Sequence, residues 1–139
     1  MSIVFFTDRD LGSRFPETLA AAGLTVERHQ DHFAHDCADE VWLRSIGERG
    51  WVVLTHDRRI RYKPNELRAV MQYGVALLVI VGKAPHSELA HAFVATLPPI
   101  RRFLARNSPP FIGKVYRPSP SEVTRNPIAP GRVELWYPK

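Results

Sequence analysis

A three-layer α/β/α sandwich around a parallel central sheet is the fold this chain predicts, and three observations carry the reading. Short apolar runs of strand length recur between residues 3 and 81, and segments with helical periodicity separate them. The runs are apolar throughout rather than alternating with polar residues. Strands that alternate with helices of about ten residues make βαβ units, and strands apolar on both sides belong to a sheet covered on both faces.

The first run, IVFFT at 3–7, is β-branched and aromatic and reads as a buried strand. In LGSRFPETLAAAGL, which follows at 11–24, Phe15, Leu19 and Ala22 fall at i, i+4 and i+7, one face of a helix, with Ser13 as N-cap and Gly23 as stop. LTVERH at 24–29 alternates enough for a short strand, and QDHFAHDCA at 30–38 reads as a polar loop. DEVWLRSIGERG at 39–50 makes a helix ended by Gly50, and WVVLT at 51–55 another buried strand. The basic connection RRIRYK leads to Pro64, whose fixed φ suits the start of the helix NELRAVMQYG. Leu67, Val70 and Met71 share that helix's inner face. VALLVIV at 75–81 is the most apolar strand. HSELAHAFVATL places Leu89, Phe93 and Leu97 on one side of a helix that Pro98 and Pro99 interrupt, with IRRFLA adding a turn or two.

A length of 139 residues suits one domain with a core that stands without disulfides or structural metal. The single cysteine, Cys37, has no partner in the chain and reads as a small residue near a helix start. The hydrophobic share of 45% excludes a disordered chain. The longest apolar stretch, 75–82, is far shorter than the ~20 residues that cross a bilayer. The N-terminus lacks the basic region and apolar core of a signal peptide, so a cytoplasmic protein without membrane association is expected. From Pro109 onward prolines crowd the chain, no helix is expected, and VYRP and GRVELWY are candidate edge strands. Val133, Leu135 and Trp136 are too apolar for a solvated linker. The expected division is a domain over 1–108 and a Pro-rich extension over 109–139 that packs on that domain or on a second subunit.

Two of the apolar runs end alike, in FFTDRD and VVLTHD. Ligands in open α/β sheets bind beyond the carboxyl ends of the strands, so Asp8 and Asp57 are placed to approach one another if their strands are neighbours. Asp10 lies in the same turn as Asp8. Asp39 precedes Leu43 and Ile46 by four and seven residues and so leans toward the core side of its helix. Taken singly, Asp39 reads as an N-cap and Asp10 as a turn residue. Taken together, carboxylates crowded in one cleft raise each other's pKa or are neutralised by a cation. An all-oxygen set suits a hard ion, Mg²⁺ or Mn²⁺. The net charge of +5 and pI near 9.8 suit a polyanionic partner. Acids within a basic surface are what metal-assisted phosphodiester cleavage requires.

FFTDRDLG, DEVWL and WVVLTHDRRI, in that order, resemble the PIN-like domains of VapC-type toxins and their relatives. The resemblance covers residues 3–82 well, the following helix loosely and the extension not at all. It implies an Mg²⁺- or Mn²⁺-dependent ribonuclease, the toxin of a toxin–antitoxin pair, with an antitoxin partner and a homodimer. Carried over by position, Asp8, Asp39 and Asp57 match the core acids and Asp10 an additional one. Many relatives carry a further acid just after the Asp57 position; here Arg58 and Arg59 stand there. That departure leaves one ion or two open, and with it a non-catalytic module that binds RNA or protein. A DNA nuclease with the same site is the third alternative, since discrimination by the 2′-hydroxyl has no short motif.

Arg58, Arg59, Arg61 and Lys63 follow Asp57 directly and are candidates for gripping phosphates, with Tyr62 stacking on a base. The alternative is a solvated basic loop, which is also the reading for Arg101, Arg102 and Arg106. Glu66 reads as a first-turn surface acid. His29, His32 and His35 are spaced by three but fit no zinc signature and read as exposed loop. His56, next to Asp57 in a strand, would point to the opposite side from it. No glycine-rich phosphate loop and no nucleophile elbow occurs.

Overall fold

The computed structural model describes residues 2–139. Strand β1 (Val4–Thr7) is followed by a 3₁₀ turn over Arg9–Leu11, helix α1 (Arg14–Ala21), strand β2 (Thr25–Arg28), the single-turn helix α2 (His29–His32) and helix α3 (Asp39–Arg49). Strand β3 (Val52–Thr55), a second 3₁₀ turn at Ile60–Tyr62, α4 (Pro64–Gln72) and β4 (Ala76–Val81) come next. Then come α5 (His86–Ala95), α6 (Leu97–Arg106), β5 (Phe111–Tyr116), α7 (Pro120–Arg125) and β6 (Arg132–Tyr137). The strands form one six-stranded sheet in the order β2-β1-β3-β4-β5-β6. All neighbours are parallel except β5 and β6.

The expected three layers are present. Successive strand side chains point to opposite faces, and here both faces bury them. Phe5, Leu54, Leu78, Ile80 and Phe111 pack with Phe15 and Leu19 of α1, Phe93 of α5 and Ile100 of α6. Phe6, Val53, Leu77, Val79 and Ile112 pack with Trp42, Leu43 and Ile46 of α3 and Val70 of α4. Fully burying each such side chain contributes about 1.5–3 kcal/mol. That double burial is why the runs are apolar at every position.

From β1 the chain steps outward to β2, then returns past β1 to β3 on its other side. The loops leaving β1 and β3 therefore diverge, and a crevice opens between their carboxyl ends. None of the described helices is long and apolar enough to cross a membrane.

Four local expectations are corrected. Residues 29–32 form α2 instead of loop, because His29 is buried against Phe6 and Trp42, with ring centroids 6.1 and 5.4 Å away. Pro98 and Pro99 do not merely interrupt a helix. They occupy the first turn of the ten-residue α6, where the missing N–H costs nothing. β5 is an interior strand, not an edge, since β6 closes over it. Within the Pro-rich stretch α7 forms on a capping box: Ser119 Oγ accepts from Glu122 N at 3.2 Å and Glu122 Oε1 from Ser119 N at 3.2 Å.

Gly47 lies inside α3 where a Cβ would overlap the Tyr73 carbonyl oxygen at the end of α4. In an open helix Gly→Ala stabilises by about 0.5–1 kcal/mol. Here the overlap forces α3 and α4 apart, so Gly47→Ala is expected to destabilise by about 1–3 kcal/mol. Urea denaturation with an unchanged slope is the measurement; a rise in stability contradicts this packing.

Candidate active site

The crevice is built around the end of β1. Asp8 N donates to Leu54 O at 2.9 Å, which continues the β1–β3 pairing by one residue and pins Asp8 beside β3. Asp8 Oδ1 accepts from Arg9 N at 2.8 Å and caps the 3₁₀ turn. Leu11, wholly buried, anchors that turn. Gly12, at φ 65°, ends it in a conformation that disfavours a side chain. The turn brings Asp10 back over β3, where both of its oxygens lie 3.1 Å from His56 N.

Between the two acids stands Thr55, the last residue of β3 and fully buried. Its Oγ1 lies 3.0 Å from Asp8 Oδ2 and 3.0 Å from Asp10 Oδ2. It also accepts from Asp57 N at 3.2 Å. A hydroxyl has one proton to donate, so it cannot serve two carboxylates fully. Burial, then the Asp10 charge, pushes the Asp8 carboxyl up to about 6 from its ordinary 3.8. Asp10 is exposed as a residue, but its carboxyl is turned against Thr55 and His56. Its partial withdrawal from water raises its pKa as well, against the hydrogen bonds that favour the charged form. The pair is short of positive charge, the condition that a bound cation relieves.

Asp39 and Asp57 flank this pair. Asp39 is the first residue of α3, with Ala38 in the N-cap position, so the N-cap reading of Asp39 does not hold. Its Oδ1 accepts from the buried indole Trp42 Nε1 at 2.9 Å, and its charge reaches Asp8. Burial would raise Asp57, but Lys63 Nζ at 2.5 Å from Oδ2 and Arg59 N at 3.0 Å from Oδ1 overcome it and hold the carboxyl below its ordinary value. Asp8 and Asp10 thus share one partner, while Asp39 and Asp57 each have their own. Among the described residues no three His, Cys, Asp or Glu side chains are arranged to hold one ion. Asp8 and Asp10, each 3.0 Å from Thr55 Oγ1, offer an all-oxygen pair. One or two carboxylates completed by water is how proteins commonly hold Mg²⁺, so the donor set fits that ion.

The basic stretch divides. Arg58 and Arg59 are exposed, and Lys63 is committed to Asp57. Arg61 lies over the rings of Tyr62, Trp136 and Tyr137, at 5.6, 5.6 and 5.4 Å. Tyr62 is 67% exposed with its edge on Trp136. Of the histidines read as exposed loop, His29 is instead buried. Its Nδ1 accepts from Arg9 Nε at 2.9 Å, and burial followed by the Arg9 charge lowers its pKa. His56 lies beyond the end of β3. Its ring Nε2 pairs with Gly82 O at 2.8 Å, and the His86 ring is 6.2 Å away.

Thr55 is the site residue that sequence reasoning left without a role. Its signal was the threonine closing both echoing runs, a polar side chain where an apolar strand meets acid. The role of Lys63 as the Asp57 partner had no comparable signal, because it stands six positions on, past a 3₁₀ turn.

A family model described as a PIN-like domain matches residues 3–82, which include Asp8, Asp10, Asp39 and Asp57. No curated protein and no solved structure matches the chain.

Because the folded state holds the Asp8 proton more tightly than the unfolded chain, Asp8 makes stability fall as pH rises from about 4 through about 6. The ceiling is about 3 kcal/mol. Asn in its place keeps an acceptor for Arg9 N and offers a donor to Thr55. Asp8→Asn is therefore expected to unfold at a higher temperature than the wild type at pH 7.5, with the gap closing near pH 4. Thermal melts across that range test it, and a less stable variant at pH 7.5 contradicts a carboxylate that burial, then the Asp10 charge, makes costly to ionise.

Proposed function

The chain belongs to the PIN-like domain family, and from that premise we propose that it is a divalent-metal-dependent ribonuclease, the toxin of a toxin–antitoxin pair acting in the cytoplasm. PIN-like domains are typically nucleases. One observation carries the reading beyond the family: Asp8 and Asp10 face a single Thr55 hydroxyl in the crevice between β1 and β3. Asp8 caps its turn through Arg9 N and Asp10 accepts from His56 N, but neither contact brings a cation, and two carboxylates beside one hydroxyl raise the cost of ionising each other.

Asp8 and Asp10 would hold Mg²⁺ or Mn²⁺, with Asp39 and Asp57 lining the same rim. When bound, such an ion supplies a water that ionises near neutral pH and offsets charge on the phosphate. Thr55 fixes the orientation of both carboxylates, and the Arg9 N–H fixes Asp8 further. Lys63 keeps a positive charge at the rim where a phosphate would arrive, with Arg58 and Arg59 exposed beside it. The antitoxin would act by covering this rim, and a homodimer is the assembly proposed with it.

A second reading has its own observation. Asp57 is already neutralised by Lys63, and arginines stand where relatives place another acid. Both features favour a scaffold that binds RNA without cutting it.

Turnover separates the two. The protein with Mn²⁺ or Mg²⁺ is expected to cleave a mixed RNA pool, and chelation to stop it. Asp8→Asn and Asp57→Asn should bring cleavage to the level of the protein-free control with the circular dichroism spectrum retained. Thr55→Val, nearly isosteric, should lower turnover about 10–100-fold, the usual cost of losing a group that orients ligands, while Thr55→Ser retains most of it. Full activity of Asp8→Asn, with contamination excluded, would sink the nuclease reading.

A further inference from the structure

Beyond β4 the same rim continues into a groove of about 490 Å³, lined by Gly82, Tyr116, Arg117, Pro118, Val123 and Arg132. It stands at the carboxyl ends of β4 and β5 and the start of β6. A chain of contacts joins it to the acids. Asp10 accepts from His56 N, and the His56 ring pairs with Gly82 O at 2.8 Å. Arg117 lies across Gly82 so closely that a Cβ there would sit 2.8 Å from Arg117 Nε. With neighbouring strands about 4.8 Å apart, β5 is about 10 Å from β3.

We infer that this groove is a subsite for single-stranded RNA, taking the nucleotides that flank the phosphate at the acid rim. Arg132 is held 4.0 Å over the Tyr116 ring, so its guanidinium is presented rather than free to wander. The ion pairs of both arginines are long, Arg117 to Glu88 at 3.9 Å and Arg132 to Glu134 at 3.9 Å, and are exposed. Such pairs contribute little, and a phosphate, which arginine can meet with two parallel hydrogen bonds, displaces them at small cost. Pro118 and Val123 give an apolar floor for a ribose or an unstacked base, as single-stranded RNA recognition uses. Two arginines against Glu88 alone in the lining favour a polyanion over a peptide. Both arginines lie outside the matched residues 3–82. The inference rests on the ribonuclease reading for the choice of RNA, and binding measurements separate the two.

The test is fluorescence anisotropy of a labelled RNA of about twelve nucleotides with the full chain in chelator, followed by cleavage with Mn²⁺. Arg117→Ala with Arg132→Ala is expected to weaken binding at least about tenfold and to flatten the slope of log K against log salt by about 1.4, the signature of two lost contacts to single-strand phosphates. Val123→Glu, on the exposed face of α7, puts a negative charge in the groove without touching the sheet and should weaken binding likewise. Arg101→Ala with Arg102→Ala, on the exposed side of α6, should change it less than about twofold. Equal losses in both arginine pairs, undiminished binding by folded Val123→Glu, or equal competition by poly-glutamate would each overturn the groove. If cleavage persists in those cases the nuclease reading stands alone. Groove-dependent binding without cleavage keeps the groove and removes the nuclease. Absence of both binding and cleavage removes both.

Discussion

One hydroxyl proton faces two carboxylates at Thr55, and the rest of the rim is arranged around that shortage. Thr55 can sit there because β3 buries every side chain, so the hydroxyl at its end is held without freedom to turn toward water. Asp8 is fixed by its own N–H on Leu54 and by Arg9 N. Asp10 is fixed by the 3₁₀ turn that Leu11 anchors and by His56 N. None of these contacts supplies a full positive charge. Asp57, by contrast, has Lys63 and is satisfied. The rim therefore holds acids of two kinds side by side: a pair raised by burial with no cationic side chain bonded to it, and a flanking acid already neutralised. A rigid scaffold makes this difference persist, because relaxation would let water or a side chain quench the pair.

Stability and chemistry pull against each other here. Two carboxylates partly withdrawn from water beside one hydroxyl are a cost to folding at neutral pH, and a chain selected only to fold would have replaced one of the two. The apolar faces on either side of the sheet are extensive enough to carry it. Phe6, Trp42 and Leu54 are almost wholly excluded from water within two residues in sequence or one layer in space of the acids. Strain of this kind at a crevice, supported by an unstrained core, is the pattern expected of a functional site.

What could be read beforehand follows from which constraints are local. The strands and their double burial were legible because apolar periodicity is a local signal with a direct structural meaning. That Asp8 and Asp57 lie beyond the ends of neighbouring strands was legible because both follow such a run, whereas the meeting of Asp8 and Asp10 over Thr55 depends on the 3₁₀ turn after β1. His29 was misread because three histidines among acids look polar. Its burial depends on Phe6, Trp42 and Arg9 arriving from elsewhere in the chain. The helix after α5 and the extension were misread for a related reason. Prolines were counted as helix breakers, whereas Pro98, Pro99 and Pro120 stand in the first turns of α6 and α7, where the lost N–H has no partner to lose. The Ser119–Glu122 capping pair was a local signal and could have found α7. The interior place of β5 could not have been found locally, since it depends on β6 returning across it.

That return matters for more than the fold. β6 runs antiparallel to β5, so its start, not its end, lies at the rim. The first residue of β6, Arg132, thereby joins the last of β5, Tyr116, and the next residue, Arg117, on the same side of the molecule as the acids. A parallel final strand would have put Arg132 at the other end of the strands, away from the rim. Reversal of one strand thus places positive charge beside, but not within, the acidic crevice. The separation has a consequence: arginines in contact with Asp8 and Asp10 would neutralise them as Lys63 neutralises Asp57. Along the rim Asp8 and Asp10 lie at the β1–β3 crevice without a cationic side chain on them, Lys63 beside them is spent on Asp57, and Arg117 and Arg132 lie beyond the His56–Gly82 contact, at the end of β5 and the start of β6.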